Sequence, residues 1–355
     1  MVCKDIILVT GVGGSVGSRI VERLLENYQV IGFDLAVNEN FLGLDFVAVD
    51  FALEESVDRG LKYLCDHYGK TIASVIHLPV DNQPDLSDWS HYQSFTVHGT
   101  ELLFKGLRKY QFEVGQFIFT SSMCVHATCK AGQKIDENSP VIPRSNDSKA
   151  KILVEDLIHR MQGDIPSAIL RVASLYDDRC HCPSLSHQIK RIYANRWYSH
   201  FSPGDPGQGS SFLHIDDLIE AIWLIIQKKI ELPHDLVLIL GEGEAYSYER
   251  LQREIASSIY GVEWKTWSIP KWMFIGVVWC IRRLRFFKKT GLECWVIDGA
   301  DDQYVLDTSR AKKILGWHPK YSVFTYISVW VEQIKKDSLL WYRENELQAN
   351  NHELP

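Results

Sequence analysis

TGVGGSVG, residues 10–17, places Gly11, Gly14 and Gly17 between an apolar β-branched run, IILVT (6–10), and an amphipathic helical pattern over residues 15–26. A strand that enters a helix through glycines at this spacing makes a tight turn. It also lets backbone come close to a pyrophosphate, which the N–H groups and positive dipole end of the helix favour. Gly11, Gly14, Val16 and Gly17 are therefore the first cofactor-binding candidates. The second strand, QVIGFD (29–34), ends in Asp34. A carboxylate there accepts hydrogen bonds from both hydroxyls of an adenosine ribose and repels a 2′-phosphate, so the pattern points to NAD rather than NADP. A glycine-rich turn alone is weak; strand, turn, helix, strand and acid in that order carry the reading.

Working outward, DFVAVD (45–50), SVIHL (74–78), FIFTSS (117–122) and AILRVA (168–173) read as further strands, with helical patterns over residues 93–110 and 147–161. The run 236–240 returns to the same sheet. Short β-branched runs alternating with helices build parallel sheets from βαβ units. The expected class is α/β, a Rossmann-type doubly wound parallel sheet with a smaller C-terminal substrate domain. Two stretches break the alternation: 180–211, with CHCPS and SPGDPGQGSS, is turn-rich, and 246–326 is aromatic-rich. The reading assigns residues 1–178 and about 212–241 to the NAD-binding domain, and about 179–211 and 242–336 to the substrate domain. It takes the mostly polar 337–355 as a flexible tail.

Composition narrows the function. Thirty-eight Lys plus Arg against 45 Asp plus Glu leave a net charge of −7, which gives nucleic-acid phosphates no basic surface. Eight scattered cysteines and a start that runs directly into a strand, without signal-peptide features, point to a cytoplasmic chain with reduced thiols. The apolar run WMFIGVVWCI (272–281), followed by RRLRFFKK, is too short for a bilayer, which needs about 20 helical residues; no membrane span is expected, and the run reads as a core helix or a surface-lying one. CHC (180–182) offers neighbouring ligands on one short segment, which do not close a tetrahedral site alone, so no metal is expected.

In sequence order these pieces resemble the extended short-chain dehydrogenase/reductase family, the group of NAD-dependent nucleotide-sugar epimerases and dehydratases. The resemblance runs over about residues 6–330. Its landmarks are TGVGGSVG, VD (49–50), VHGT (97–100), TSSMCVH (120–126), SK (148–149) with Glu155, LRVASLY (170–176), FLHIDDL (212–218) and LDTSRAKKILGWHP (306–319). It implies NAD as cofactor, a nucleotide-sugar or similar hydroxylated small molecule as substrate, and epimerase or oxidoreductase activity. It also implies a homodimer through the helices over 93–110 and 147–161. Asp50 falls where the family's adenine-contacting acid sits. Leu78, with Pro79 after it, stands where the family usually has a small residue against the cofactor.

The family uses a Ser or Thr, a Tyr that serves as acid/base, and a Lys four residues after the Tyr that lowers the Tyr pKa and binds the cofactor through the nicotinamide ribose. The resemblance places Ser122 at the Ser and Lys149 at the Lys, which leaves Ser145 at the Tyr position. An aliphatic hydroxyl titrates far above a phenol's ~10 and reaches less far, so another group must supply the proton chemistry. Cys124 is the candidate, because family epimerases that invert carbons beside a ketone read SxCIY at this place, with the Cys as acid/base. The family's diphosphate-contacting Asn is Ser174 here, its Arg before FxH(V/I)DD is Ser210 or Ser211, and His126 takes the place of a second family Tyr. An enzyme using Ser122, Cys124 and Lys149 is the first reading; a degenerate member that binds NAD as a sensor or partner subunit is the alternative.

Overall fold

The computed structural model describes residues 4–36, 42–78, 88–130, 132–273 and 301–347. The main sheet is wholly parallel: β1 (Ile6–Thr10), β2 (Gln29–Asp34), β3 (Leu44–Ala48), β4 (Ser74–His77), β5 (Phe117–Ser122), β6 (Ser167–Val172) and β7 (Asp235–Leu240). Its spatial order is β3-β2-β1-β4-β5-β6-β7, so the winding reverses between β1 and β4. Open α/β sheets take ligands beyond the carboxyl ends of the strands at such a reversal. The helices are α1 (Ser15–Leu25), α2 (Glu54–Tyr68), α3 (Gly99–Lys109), α4 (Asn146–Met161), α5 (Pro183–Tyr193), α6 (Ile215–Gln227), α7 (Tyr248–Tyr260), α8 (Ser309–Leu315), α9 (Val323–Lys336) and α10 (Ser338–Glu344).

Alternation along β1 sorts the two faces. Ile7 and Val9 turn toward a core shared with Ile20, Val21 and Leu24 of α1 and Leu218, Ile222 and Ile225 of α6. Leu8 turns the other way, toward Val57 and Leu61 of α2, Leu103 and Leu107 of α3 and Val154 and Ile158 of α4. Helices on both faces make this the doubly wound sheet that the sequence implies. A third core, holding Leu185 and Ile189 of α5, Ile255 of α7 and Trp330 of α9, builds the smaller C-terminal lobe.

Four features depart from the sequence reading. Part of the turn-rich 180–211 is helical: Pro183 starts α5, where its missing N–H has no helical partner to lose, and Leu185, Ile189 and Ile192 give it an apolar face. Helix α3 is preceded by a π-helical segment, Tyr92–His98, within the stretch read as one helix. Leu306, Ala311, Leu315 and Trp317 pack on the core of the first lobe, although the sequence assigns them to the substrate domain. Residues 337–347 are ordered into the second lobe rather than forming a flexible tail. Asp337 caps α10 by accepting from the Leu340 N–H at 2.9 Å, and Trp341, 2% exposed, and Tyr342 enter the core; polar neighbours hide these two anchors in the sequence. Residues 348–355 and 274–289, the latter covering most of the apolar-basic run, lie outside the described residues. Among the described residues no helix is long and apolar enough to cross a membrane.

Candidate functional site

The glycine turn lies at the reversal of the sheet. Gly11 has φ +78°, and a Cβ on it would stand 2.2 Å from the Leu78 carbonyl oxygen. A Cβ on Gly17 would stand 2.0 Å from the Gly11 oxygen. Packing of the protein itself thus dictates both glycines. Gly14 is different: the nearest atom to its Cβ position is 3.6 Å away, an ordinary contact. Gly14 is also the N-cap of α1, brings no side-chain acceptor, and is followed by no acidic residue in the first turn. The first N–H groups of α1, around Val16, therefore keep their hydrogen-bonding capacity and partial positive charge at a surface where Ser15 is exposed and Val16 half-buried.

Asp34 ends β2 beside this turn. Its Oδ2 accepts from the Gly13 N–H at 2.8 Å and its Oδ1 from the Leu35 N–H at 2.7 Å. A carboxylate offers about four acceptor sites, so two bonds leave capacity for hydroxyl donors. The Val49 N–H donates to the Asp34 carbonyl at 2.8 Å, which brings Asp50 along the same edge. Asp50 Oδ1 accepts from the Ala52 N–H at 2.8 Å.

Leu78 reaches Gly11 through a buried relay. Thr100 donates its hydroxyl proton to the Thr96 carbonyl at 2.6 Å, so at 2.9 Å it accepts from His77 Nε2–H. That fixes Nδ1 as the acceptor, and Thr10 donates to it at 2.7 Å while accepting from the Leu78 N–H at 3.2 Å. Burial pushes the His77 imidazole down to about 3. A neutral ring thus ties the ends of β1 and β4 together and holds Leu78 against the turn.

At the end of β5, Ser122 caps the 3₁₀ turn Met123–Val125, its Oγ accepting from the Cys124 N–H at 3.1 Å. Cys124 is half-buried. Burial pushes its thiol up, the Ser122 hydroxyl and Lys151 pull it down, and Asp147 and Asp302 push it up again. The net upward direction keeps it protonated at neutral pH.

Ser145 and Lys149 have other partners. Ser145 is the N-cap of α4 and forms a reciprocal box with Ser148: Ser145 Oγ accepts from the Ser148 N–H at 3.1 Å, and Ser148 Oγ accepts from the Ser145 N–H at 3.0 Å. Lys149 is exposed, with Nζ 3.9 Å from the centre of the Trp89 ring. Positions two apart on a helix are turned about 200° from one another, so Lys151 projects to the opposite side. Its side chain is 20% exposed and its Nζ lies 3.5 Å from Asp147 Oδ2. Of the four catalytic candidates named from sequence, the structure brings Ser122 and Cys124 together and gives Ser145 and Lys149 separate occupations.

The sequence reading missed groups from later in the chain that act on the same thiol. Tyr248, the first residue of α7, donates its N–H to the Gln208 carbonyl, and Tyr304 to the adjacent Gly209 carbonyl, both at 3.0 Å. Both phenols are pushed up to about 12, first by burial and then by neighbours that include Cys124. Arg144 pairs with Asp302 at 2.6 Å and bonds the Tyr304 hydroxyl. No local motif marks them, because backbone bonds such as Ile135 N–H to the Val305 carbonyl at 2.7 Å join segments far apart in sequence.

Two polar clusters have structural roles. Arg171 is buried and donates to Glu155 at 2.7 Å and to His126 Nε2 at 3.2 Å, while His126 Nδ1 donates to the Ser139 carbonyl at 3.1 Å. Burial and the Arg171 charge push His126 down, so it is a neutral strut. In the CHC segment both thiols are buried and pushed up, and His181 Nδ1 lies 2.7 Å from Asp177.

The family described as NAD dependent epimerase/dehydratase matches residues 7–241 of the chain. A dTDP-D-glucose 4,6-dehydratase of Bos taurus is 26% identical over 365 aligned positions, covering 96% of this chain and 89% of that protein. A UDP-glucuronate 4-epimerase of Thermodesulfobacterium geofontis is 24% identical, covering 95% of this chain and 96% of that one. Among solved structures, UDP-glucose 4-epimerase of Thermus thermophilus in complex with NAD superposes with a TM-score of 0.70 at 19% identity, covering 94% of this chain and 99% of that one. At that identity the likeness is one of fold.

Proposed function

The chain belongs to the NAD dependent epimerase/dehydratase family, and from that membership we propose that it binds NAD and acts on a nucleotide-sugar as an epimerase or oxidoreductase. The observation that carries the reading is the N-terminus of α1. It has no side-chain cap, its Gly14 has room that the protein's own packing does not require, and a carboxylate stands beside it at the end of β2. These features suit a pyrophosphate over Gly14 and Val16, an adenosine ribose on Asp34 and the adenine toward Asp50. Gly11 and Gly17 permit the turn, and Leu78 lines it. NAD, when bound, supplies a hydride acceptor and donor. Ser122 orients a substrate oxygen, and the protonated Cys124 thiol donates a proton beside it.

A diphosphate-linked sugar is the substrate class because the relatives are named for UDP-glucose, UDP-glucuronate and dTDP-glucose. The chemistry of such substrates suits the cytoplasm. For assembly we propose a homodimer through α3 and α4, the latter carrying half-buried Ile152 and Leu153. Incubation with NAD and either UDP-glucose or UDP-glucuronate in deuterated water, followed by proton NMR, tests the activity. Appearance of a C4 epimer, a keto-sugar or deuterium at a sugar carbon is expected; tight NAD binding with no change in either sugar would overturn the enzymatic reading.

A further inference from the structure

We infer that Asp147 and Lys151 of α4 are the proton-handling pair of this site, acting with the Cys124 thiol in the place that the sequence pattern gives to Ser145 and Lys149. The assignment deepens the proposed function and rests on it for the substrate, while the placement of the pair stands apart from it.

The placement follows from helix geometry. Asp147, Lys151 and Glu155 recur at four-residue steps, so they share one face of α4, each about 6 Å from the next along the axis. Glu155 anchors that face to the end of β5, where Oε1 accepts from the Ser121 hydroxyl at 2.5 Å. Ser121 adjoins Ser122, and Ser122 bonds the Cys124 N–H. The same face, followed toward the N-terminus of α4, carries Lys151 and then Asp147, themselves 3.5 Å apart. Lys149 lies on the opposite side against Trp89, and the Ser145 hydroxyl closes the cap. Helix α4 packs on the 3₁₀ turn that holds Cys124; the groups that act on the thiol are Ser122 at the end of β5, Lys151 and Asp147 on α4, and Asp302, and the thiol in turn acts on the Tyr248 and Tyr304 phenols.

The chemistry differs from that of a phenol. A carboxylate at position 147 accepts a proton from a substrate hydroxyl: the hydroxyl O–H bond breaks, a carboxyl O–H bond forms, and the negative charge left on the substrate oxygen is met by the Lys151 ammonium and the Ser122 hydroxyl. The thiol works in the other sense. Its S–H bond breaks as it gives a proton to substrate, and the resulting thiolate is stabilised by the same ammonium. Lys151 thus serves both proton positions, a task that exposed Lys149 on the far side of the helix does not share.

The test is alkylation of Cys124 by iodoacetamide from neutral to alkaline pH, followed peptide by peptide with mass spectrometry on the full chain, with circular dichroism confirming that each variant is folded. Lys151→Met should move the Cys124 alkylation midpoint to higher pH and Asp147→Asn to lower pH. Lys151→Arg should restore the wild-type midpoint and Lys149→Met should leave it in place. A midpoint that responds to Lys149→Met and not to Lys151→Met, or to neither, overturns the assignment. Asp147→Asn should in addition lower turnover by about 10²-fold or more with whichever of UDP-glucose or UDP-glucuronate the wild type converts; wild-type turnover in Asp147→Asn likewise overturns it. If the wild type converts neither sugar, the proposed function fails while the alkylation profile still decides the placement.

Discussion

Two helix N-termini lie at the carboxyl edge of the same sheet, and they are finished in opposite ways. Helix α1 starts at Gly14 with no side-chain cap, whereas α4 starts at Ser145 with a reciprocal serine box. Every helix begins with about four N–H groups that lack a helical partner. In α4 the Ser145 hydroxyl bonds one of them and the Ser148 hydroxyl serves the Ser145 N–H, so both hydroxyls are occupied by the cap. In α1 the cap residue offers nothing, a state that is costly unless solvent or an anion serves those groups. One terminus closes on its own side chains, and the other leaves its first N–H groups without a side-chain cap.

The sharpest way to break the contrast is to fill the turn itself. Gly17→Ala sets a Cβ 2.0 Å from the Gly11 oxygen, so the turn must deform. Overpacking of this kind costs on the order of 3 kcal/mol. Urea unfolding should register that loss and calorimetry should find NAD binding abolished.

Acid should next weaken the support beneath the α1 turn. The folded His77 imidazole sits at about 3, below the ordinary value of about 6.5, so the unfolded chain binds the proton first. Stability from this group is therefore full at neutral pH and falls as pH drops from about 6.5 toward 3; at pH 5 the loss is about 2 kcal/mol. Unfolding measured at pH 7 and pH 5 should show that slope in the wild type and a shallower one in His77→Asn.

Gly14→Ala separates ligand from packing. With its nearest contact at 3.6 Å, the new methyl group should change stability by less than about 0.5 kcal/mol yet weaken NAD about tenfold. Ser145→Ala is the mirror case and the smallest: stability should fall by about 1 kcal/mol as the cap is lost, with NAD affinity unchanged.

The same contrast explains what was legible in the sequence. The α1 turn is local: strand, glycines, helix and Asp34 lie within one βαβ unit, and each has a backbone or charge requirement that shows in residue type. The order of the sheet follows from that unit and the alternation after it. At α4 the serine, the lysines and the acids are all present in the text, but only the rotation of the helix decides which face the end of β5. The anchor was visible as Glu155, four residues after Lys151 and six after Lys149. Tyr248, Tyr304 and Asp302 had no local signal, because they stand far from Cys124 in sequence and act on its thiol only in the folded chain. Trp341 and Tyr342 were hidden likewise, two large anchors in a polar stretch whose average says nothing about where they pack.

The central claim is that the uncapped end of α1, with Asp34 beside it, is an NAD site. Titration calorimetry of NAD and NADP against the wild type and Asp34→Ala tests it most directly. The wild type should bind NAD and discriminate strongly against NADP, since a 2′-phosphate meets the Asp34 carboxylate; Asp34→Ala should lose NAD affinity by about tenfold or more and most of that discrimination. Equal binding of NAD and NADP by the wild type, or unchanged NAD affinity in Asp34→Ala, would contradict it.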